Sequence, residues 1–212
     1  MDLNAHRREY LKGGLNERDL TPNPIDLFSR WMQEALDMEL LDANAMSVAS
    51  VDSNGQPSQR IVLLKSVDEK GFVFFTNYDS RKGREIAGNA KVSLHFPWHS
   101  IERQVSICGV AHKVTEQESQ QYFSSRPLES QLAALASAQS QQLDGKDKLI
   151  AKFNELKAQY AGQSIPLPPA WGGYRVVPNE IEFWQGGAHR LHDRFQYQRC
   201  EDGTWQARRL AP

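Results

Sequence analysis

The chain has 212 residues, 40% of them apolar and 24% charged, and its 25 Lys and Arg nearly cancel 26 Asp and Glu to leave a net charge of −1. A chain of this size and composition buries a core without a metal or disulfide staple, and its charge balance excludes a protein that coats nucleic acid or anionic membrane by bulk charge. The longest apolar run, Leu132 to Ala136, falls far short of the ~20 residues of a membrane helix, the N-terminal residues are polar, and the two cysteines, Cys108 and Cys200, lack CxxC spacing, so a reducing cytoplasm is the expected setting.

Residues 1–20 are charged and punctuated by Gly13-Gly14, which predicts an arm ahead of a single domain over 21–212. Asn23 as cap, Pro24 at the first helical position and Phe28, Trp31, Met32 and Ala35 at helical spacing predict the first helix. From residue 45 the period becomes two. Strands are expected over 45–51 and 58–65 around an Asn54-Gly55 turn, then over 72–76, and Ser80 caps a short helix ending near Gly88-Asn89. Strands over 91–96 and 101–110 follow. Thr115 and Glu118 form a capping box that opens a helical insertion over about 115–160, broken at Pro127, and Ile165-Pro166-Leu167-Pro168-Pro169 makes an extended connector. Strand candidates over 173–177, 181–185, 194–200 and 204–209 complete the chain. Hairpin connections without regular strand–helix alternation argue for a mainly β, largely antiparallel barrel with helical insertions.

No GxGxxG, GxxxxGK[ST], GxSxG or HExxH occurs, so Rossmann, P-loop, serine-hydrolase and zincin chemistry lack their fingerprints. Cations instead gather in clusters. Arg190, His192 and Arg194 are spaced by two, and on an extended chain they share a face that suits an anion, with Trp184 offering a flat surface to a planar ring. A solvated edge strand explains the same residues equally well, and His189, His192 and Asp193 offer metal-ligand chemistry without a further ligand cluster nearby. Arg60 and Lys65 bracket Ile61-Val62-Leu63-Leu64 and point to opposite faces of a regular strand. Phe75-Thr76 leads to a helix N-terminus bearing Arg81 and Lys82, a natural anion site. Tyr122, Arg126 and Ser130 recur every four residues and suit a phosphate. Each cluster alone also reads as solvated surface or strand core. Arg7-Arg8-Glu9-Tyr10 on the arm reads as a lid or a solvated tail.

Taken together, these segments resemble the pyridoxine (pyridoxamine) 5′-phosphate oxidase family. The resemblance rests on Glu182-Phe183-Trp184-Gln185 with Arg190-Leu191-His192-Asp193-Arg194, and on Arg7 to Tyr10, Arg60 to Lys65, Ser80-Arg81-Lys82, Phe96-Pro97-Trp98, Glu102 to Val105, Ser125-Arg126-Pro127 and Trp171-Gly172-Gly173, in order along almost the whole chain. It implies an FMN-binding split barrel, a homodimer with FMN at the interface, and oxidation of pyridoxine 5′-phosphate and pyridoxamine 5′-phosphate to pyridoxal 5′-phosphate, with hydride passing from the substrate 4′ carbon to FMN and O2 reoxidising the flavin to H2O2. On this resemblance Arg60, Arg81, Lys82, Gln139 and Ser140 surround the FMN phosphate. Ile61, Val62, Leu63, Leu64, Lys65, Phe75 and Thr76 line the cofactor, and Gln104, Trp184 and Arg194 contact its ring system. Lys65, Tyr122, Arg126 and Ser130 bind the substrate phosphate. Arg190 and His192 are the catalytic pair over the pyridine ring, and Arg7, Arg8, Glu9 and Tyr10 close over it. No metal, nucleic acid or membrane partner is expected. A different split-barrel flavoprotein lacks a reason to keep the second phosphate set, and a nucleic-acid module lacks a basic excess.

Overall fold

The computed structural model describes residues 1–5 and 8–212. Helix α1 (Pro24–Asp37) begins as its sequence dictates, with the Asn23 side chain accepting the Ile25 N–H at 3.1 Å. Its apolar face carries Phe28, fully buried against Phe72 (4.9 Å between ring centroids) and Phe96 (5.0 Å), and Trp31 against Phe183 (5.2 Å). This face plugs a curled sheet of nine strands, all paired antiparallel: β1 (Ala45–Val51), β2 (Pro57–Leu63), β3 (Ser66–Asp68), β4 (Gly71–Asn77), β5 (Lys91–Trp98), β6 (Arg103–Lys113), β7 (Trp171–Gln185), β8 (Asp193–Arg199) and β9 (Trp205–Leu210). Helix α2 (Arg81–Gly88) follows β4 directly, its Ser80 cap accepting the Gly83 N–H at 3.3 Å.

The sheet runs β2-β1-β5-β6-β7-β4-β3 and branches along β7. The first half of this 15-residue strand pairs with β4 and the second with β8, which β9 extends. This branch makes a split barrel. The sequence suggests two strands here, over 173–177 and 181–185, because Pro178-Asn179 reads as a turn. The structure makes one, and a bulge absorbs the break: Cys108 pairs with Glu180 and Gly109 with Pro178, leaving Asn179 without a partner. A bulge accommodates a proline that cannot donate to the ladder. It also brings backbones together, since a Cβ on Gly109 would lie 2.4 Å from the Val177 carbonyl oxygen. Gly109→Ala is therefore expected to destabilise the fold by about 2 kcal/mol or more, read as a lowered denaturation midpoint; an unchanged midpoint would show that the bulge relaxes freely.

Other boundaries shift for local reasons. Strand β2 ends at Leu63, so Leu64 and Lys65 leave the ladder, and the three-residue β3 is too short to register as a strand by periodicity. Strand β6 starts at Arg103 because Glu102 takes a left-handed conformation, φ 58°. The insertion resolves into α3 (Glu116–Ser125), α4 (Leu128–Ala136) and α5 (Lys146–Gln159), with the Thr115–Glu118 capping box formed and Pro127 separating the first two. These helices cover one end of the barrel through a small core of their own: Phe123, Leu132, Leu156, Ile165 and Trp171. No helix among the described residues is long and apolar enough to cross a membrane.

Candidate active site

Where the insertion meets the barrel lies a cavity of about 470 Å³, lined by Ile61, Val62, Leu63, Lys65, Phe75, Thr76, Lys82, Tyr122, Arg126, Pro127, Ser130, Gln139 and Trp171. Strand β2 supplies the first three, the end of β4 supplies Phe75 and Thr76, and the first turn of α2 supplies Lys82. The α3–α4 corner brings Tyr122, Arg126 and Ser130. Segments separated by more than 60 residues in sequence thus converge here.

The floor is a stack of near-parallel rings. Phe75 lies 4.1 Å from Tyr122 and 5.4 Å from Trp171, at interplanar angles of 23° and 12°. Three cations, Lys65, Lys82 and Arg126, also line the cavity, and no carboxylate does among the described residues. The Lys82 side chain is buried and its Nζ donates to neutral oxygens only: Thr76 Oγ1 at 2.9 Å, Gln139 Oε1 at 3.1 Å and Ser80 Oγ at 3.3 Å. Burial, with Arg60 nearby, pulls its pKa down to about 8, against a smaller opposing pull from the Glu85 carboxylate. Arg126 lies over Trp171 at 4.9 Å, and its Nη1 is buried without a hydrogen-bond partner. Burial pulls this guanidinium down as well. Lys65 stands over the Tyr122 ring at 5.8 Å. One buried and one half-buried cation, neither hydrogen-bonded to a carboxylate, stand beside an aromatic floor, an arrangement whose chemistry suits anionic groups attached to planar rings.

Two of the cations expected around the FMN phosphate are ion-paired. Arg60 and Arg81 both turn to Glu85, which is 7% exposed. The Glu85 carboxylate accepts from Arg81 Nε at 2.7 Å, Ser50 Oγ at 2.6 Å and Ser58 Oγ at 2.7 Å, with Arg60 Nη2 at 3.4 Å. Burial acts to raise the Glu85 carboxyl, but the hydrogen bonds from Ser50, Ser58 and Arg81 bring it down to about 2. Arg60 and Lys65 do serve different surroundings, but because β2 ends between them, not through strand alternation. Leu64, expected to line the cofactor, is buried in the main core instead, since its N–H and carbonyl oxygen are both held by Asn44. Ser140 is exposed, in a left-handed conformation beside Gln139.

A second cluster lies on β6–β8. Gln104, Trp184 and Arg194 occupy one rung across the three strands and therefore share a face. The Arg194 Nε donates to Glu182 Oε1 at 2.8 Å. The expected extended run Arg190–His192–Arg194 does not form. Residues Ala188–Arg190 make a 3₁₀ turn with φ 54° at His189 and 65° at Arg190, which leaves Arg190 exposed and breaks the shared face. The Gly186-Gly187 pair gives the chain room for this turn. His192 instead lies 4.6 Å from Trp184, its Nδ1 accepting the Gly187 N–H at 3.1 Å. That bond leaves Nε2 as the nitrogen that carries a proton in the neutral ring.

The arm docks on this cluster. Tyr10 meets Trp184 at 5.6 Å and His192 at 5.3 Å edge to face, and the Arg8 guanidinium lies over Tyr10 at 5.0 Å. Glu9 Oε2 accepts the His189 N–H at 3.3 Å, and the buried Glu102 carboxylate accepts the Leu11 and Lys12 N–H groups at 2.8 and 2.9 Å. Arg7 lies outside the described residues. Among the described residues no three His, Cys, Asp or Glu side chains cluster as metal ligands would, so His189, His192 and Asp193 have no ligand set to join. Sequence reasoning missed the wall residue Pro127 and gave Trp171, Glu85 and Glu102 no role at the site. The only local hints were Trp171-Gly172-Gly173 opening a strand and Glu85 four residues beyond Arg81.

The branched antiparallel barrel, with a cation-lined cavity under a helical cover, defines a split-barrel protein. The family profile described as "Pyridoxamine 5′-phosphate oxidase" matches residues 32–160, and that described as "Pyridoxine 5′-phosphate oxidase C-terminal dimerisation region" matches 171–212. Proteins named pyridoxine/pyridoxamine 5′-phosphate oxidase from Vibrio cholerae and Teredinibacter turnerae are 58% and 57% identical over 212 and 213 aligned residues, covering 100% of both chains in each case. The crystal structure of PhzG from Burkholderia lata 383 in complex with tetrahydrophenazine-1-carboxylic acid superposes with a TM-score of 0.88 at 32% identity, covering 93% of this chain and 98% of that one. A pyridoxamine 5′-phosphate oxidase-related, FMN binding protein from Nostoc punctiforme shares the fold at a TM-score of 0.74 and 14% identity, covering 91% of this chain and 100% of that one. The chain belongs to the pyridoxine/pyridoxamine 5′-phosphate oxidase family of enzymes.

Proposed function

We propose that the protein is an FMN-dependent oxidase that converts pyridoxine 5′-phosphate and pyridoxamine 5′-phosphate to pyridoxal 5′-phosphate. The observation that carries this reading is the pair of cations in one cavity, buried Lys82 and half-buried Arg126 with its buried, unpartnered Nη1, neither hydrogen-bonded to a carboxylate. A cofactor and a substrate that each carry a phosphate and a planar ring need two cation sets and a flat floor, and the cavity has both. FMN fits the Lys82 end: Thr76, Gln139 and the α2 N-terminus surround the buried ammonium, and Arg60, Arg81 and Ser140 lie around them. The substrate phosphate fits the other end, among Lys65, Tyr122, Arg126 and Ser130.

When bound, FMN supplies the two-electron chemistry, accepting a hydride from the substrate 4′ carbon and returning the electrons to O2 as H2O2. The chain's own residues bind, orient and exclude water. Apolar Ile61, Val62 and Leu63 wall one side. Ile61 is 63% exposed and Leu63 41% exposed on a strand that ends the sheet. A second copy covering this edge would bury both, and the matched C-terminal dimerisation region points the same way. We infer a homodimer in which the Gln104–Trp184–Arg194 rung of one chain completes the cavity of the other. His192, with Nε2–H free to donate, and Arg190 would then approach the substrate ring while Arg8, Glu9 and Tyr10 close the site.

The test is a visible spectrum of the purified protein with and without added FMN, followed by pyridoxine 5′-phosphate in air. Flavin absorbance with stoichiometric peroxide and pyridoxal 5′-phosphate is expected. A protein that stays colourless with FMN overturns the reading, and a yellow one that makes neither product is a different flavoenzyme.

A further inference from the structure

Helix α3 carries Tyr122 and is capped by Arg126; apolar contact fixes its C-terminal end, where Phe123 is fully buried and Tyr122 stacks on Phe75, while over Glu116–Gln121 only Ser119 is buried. On its barrel side lies a hollow of about 320 Å³, which shares Lys65, Phe75 and Tyr122 with the cavity described above. The N-terminal half of the helix, where Glu118 and Gln121 line the hollow, has no such apolar anchor, so polar contacts set its position. Arg175, on β7, spans that hollow. Its Nη1 donates to Asp68 Oδ1 on β3 at 2.6 Å and its Nη2 to Glu118 Oε1 on α3 at 3.2 Å. Both carboxylates are themselves fixed. Asp68 Oδ1 accepts the Lys70 N–H at 2.8 Å, and Glu118 Oε2 accepts the N–H and hydroxyl of Thr115, each at 2.8 Å. Glu118 stands one helical turn before Tyr122, so a constraint on it is a constraint on the Tyr122 face of the helix.

We propose that Arg175 is a positioning residue that clamps Glu118 and Asp68 across the hollow and thereby sets the rotation of α3 that delivers Tyr122 and Arg126 to the substrate phosphate. The inference rests on the substrate-site reading above. The clamp touches neither substrate nor cofactor, and its effect falls on substrate affinity.

The experiment measures KM and kcat for pyridoxine 5′-phosphate, FMN affinity and Tm for Arg175→Gln, Glu118→Gln, the double variant and Arg175→Lys, with Arg126→Met as reference. Arg175→Gln is expected to raise KM roughly three- to tenfold, as fits two partly exposed ion pairs, with kcat and FMN affinity within about twofold of wild type. The double variant should add little to the larger single effect, because both residues act through one contact. Arg175→Lys, which keeps the charge but loses the fork, should fall between. Glu118→Gln keeps an oxygen for the Thr115 cap, so it tests the clamp even where Arg175→Gln folds poorly. An unchanged KM in both clamp variants, or parallel losses of kcat and FMN affinity, overturns the inference while the raised KM of Arg126→Met leaves the substrate site standing. If Arg126→Met also leaves KM unchanged, the substrate-site reading fails and the clamp with it.

Discussion

Replacing Lys82 with methionine is expected to weaken FMN binding by roughly 100-fold, the scale of a lost charge-assisted hydrogen bond in a buried site. The side chain is 7% exposed, and its three acceptors are neutral. Water cannot take over its role without entering the cavity. Methionine keeps the volume and removes only the charge, so the fold should survive. The ligand-free variant should even gain stability below pH 8, and the sign follows from linkage. An unfolded lysine holds its proton to the ordinary value of 10.5, whereas folded Lys82 holds it only to about 8. Between these values the folded state carries fewer protons, so the stability contribution of Lys82 rises with pH across that window and is least favourable below it. A bound phosphate dianion reverses this preference by holding the proton. FMN affinity of the wild type should therefore fall as pH rises through 8, approaching tenfold per unit, while Lys82→Met shows a flat profile from pH 7 to 10. Fluorescence titration of the ligand-free protein with FMN reads both effects, and riboflavin, which lacks the phosphate, should bind the two proteins alike. A variant that binds FMN as tightly as wild type removes Lys82 from the phosphate site.

What the sequence reveals and conceals follows from the range of the interactions. Asn23 with Pro24, Ser80, and Thr115 with Glu118 announce three helix starts, because a cap and the backbone N–H that donates to it lie within three residues. Strands β1 and β5 announce themselves by a period of two, and β4 by a short apolar run after a turn. The long β7 does not, since the bulge at Asn179 is settled by the pairing of its neighbours Pro178 and Glu180 with Gly109 and Cys108, some 70 residues away. The cations of the cavity are legible as residue types near aromatic and hydroxyl neighbours. Their ion-pair state is not: nothing local says that Arg60 and Arg81 converge on Glu85 while Lys82, one residue along, has no carboxylate contact. The rung of Gln104, Trp184 and Arg194 is likewise a product of strand register, and the bend at His189 and Arg190 defeats the extended geometry that spacing alone suggests. Residue chemistry is written locally. Which charges remain uncompensated is decided by tertiary packing, and that is where the site resides.

Arg126→Met should separate binding from stability in opposite directions. Its KM for pyridoxine 5′-phosphate is expected to rise roughly 30- to 100-fold with kcat little changed, as fits removal of a guanidinium that forms charge-assisted bonds to a phosphate. At the same time the ligand-free variant should melt no lower than wild type. Arg126 Nη1 is buried with no hydrogen-bond partner, and an uncompensated buried donor is a cost to the empty protein. Its backbone role survives substitution: the N–H donates to Phe123 O at 3.2 Å, the carbonyl accepts Gln131 Nε2 at 2.8 Å, and Pro127 keeps the residue extended at φ −74°. Methionine also retains the contact with Trp171. Arg126→Lys keeps a point charge without the fork and should recover part of the affinity. Steady-state kinetics and thermal melts of the ligand-free proteins read the two effects independently. If KM stays at the wild-type value, Arg126 does not face the substrate phosphate; if Tm falls by more than a few degrees, the unpaired Nη1 is satisfied in solution and its exposure to a ligand is no longer the reason it is there.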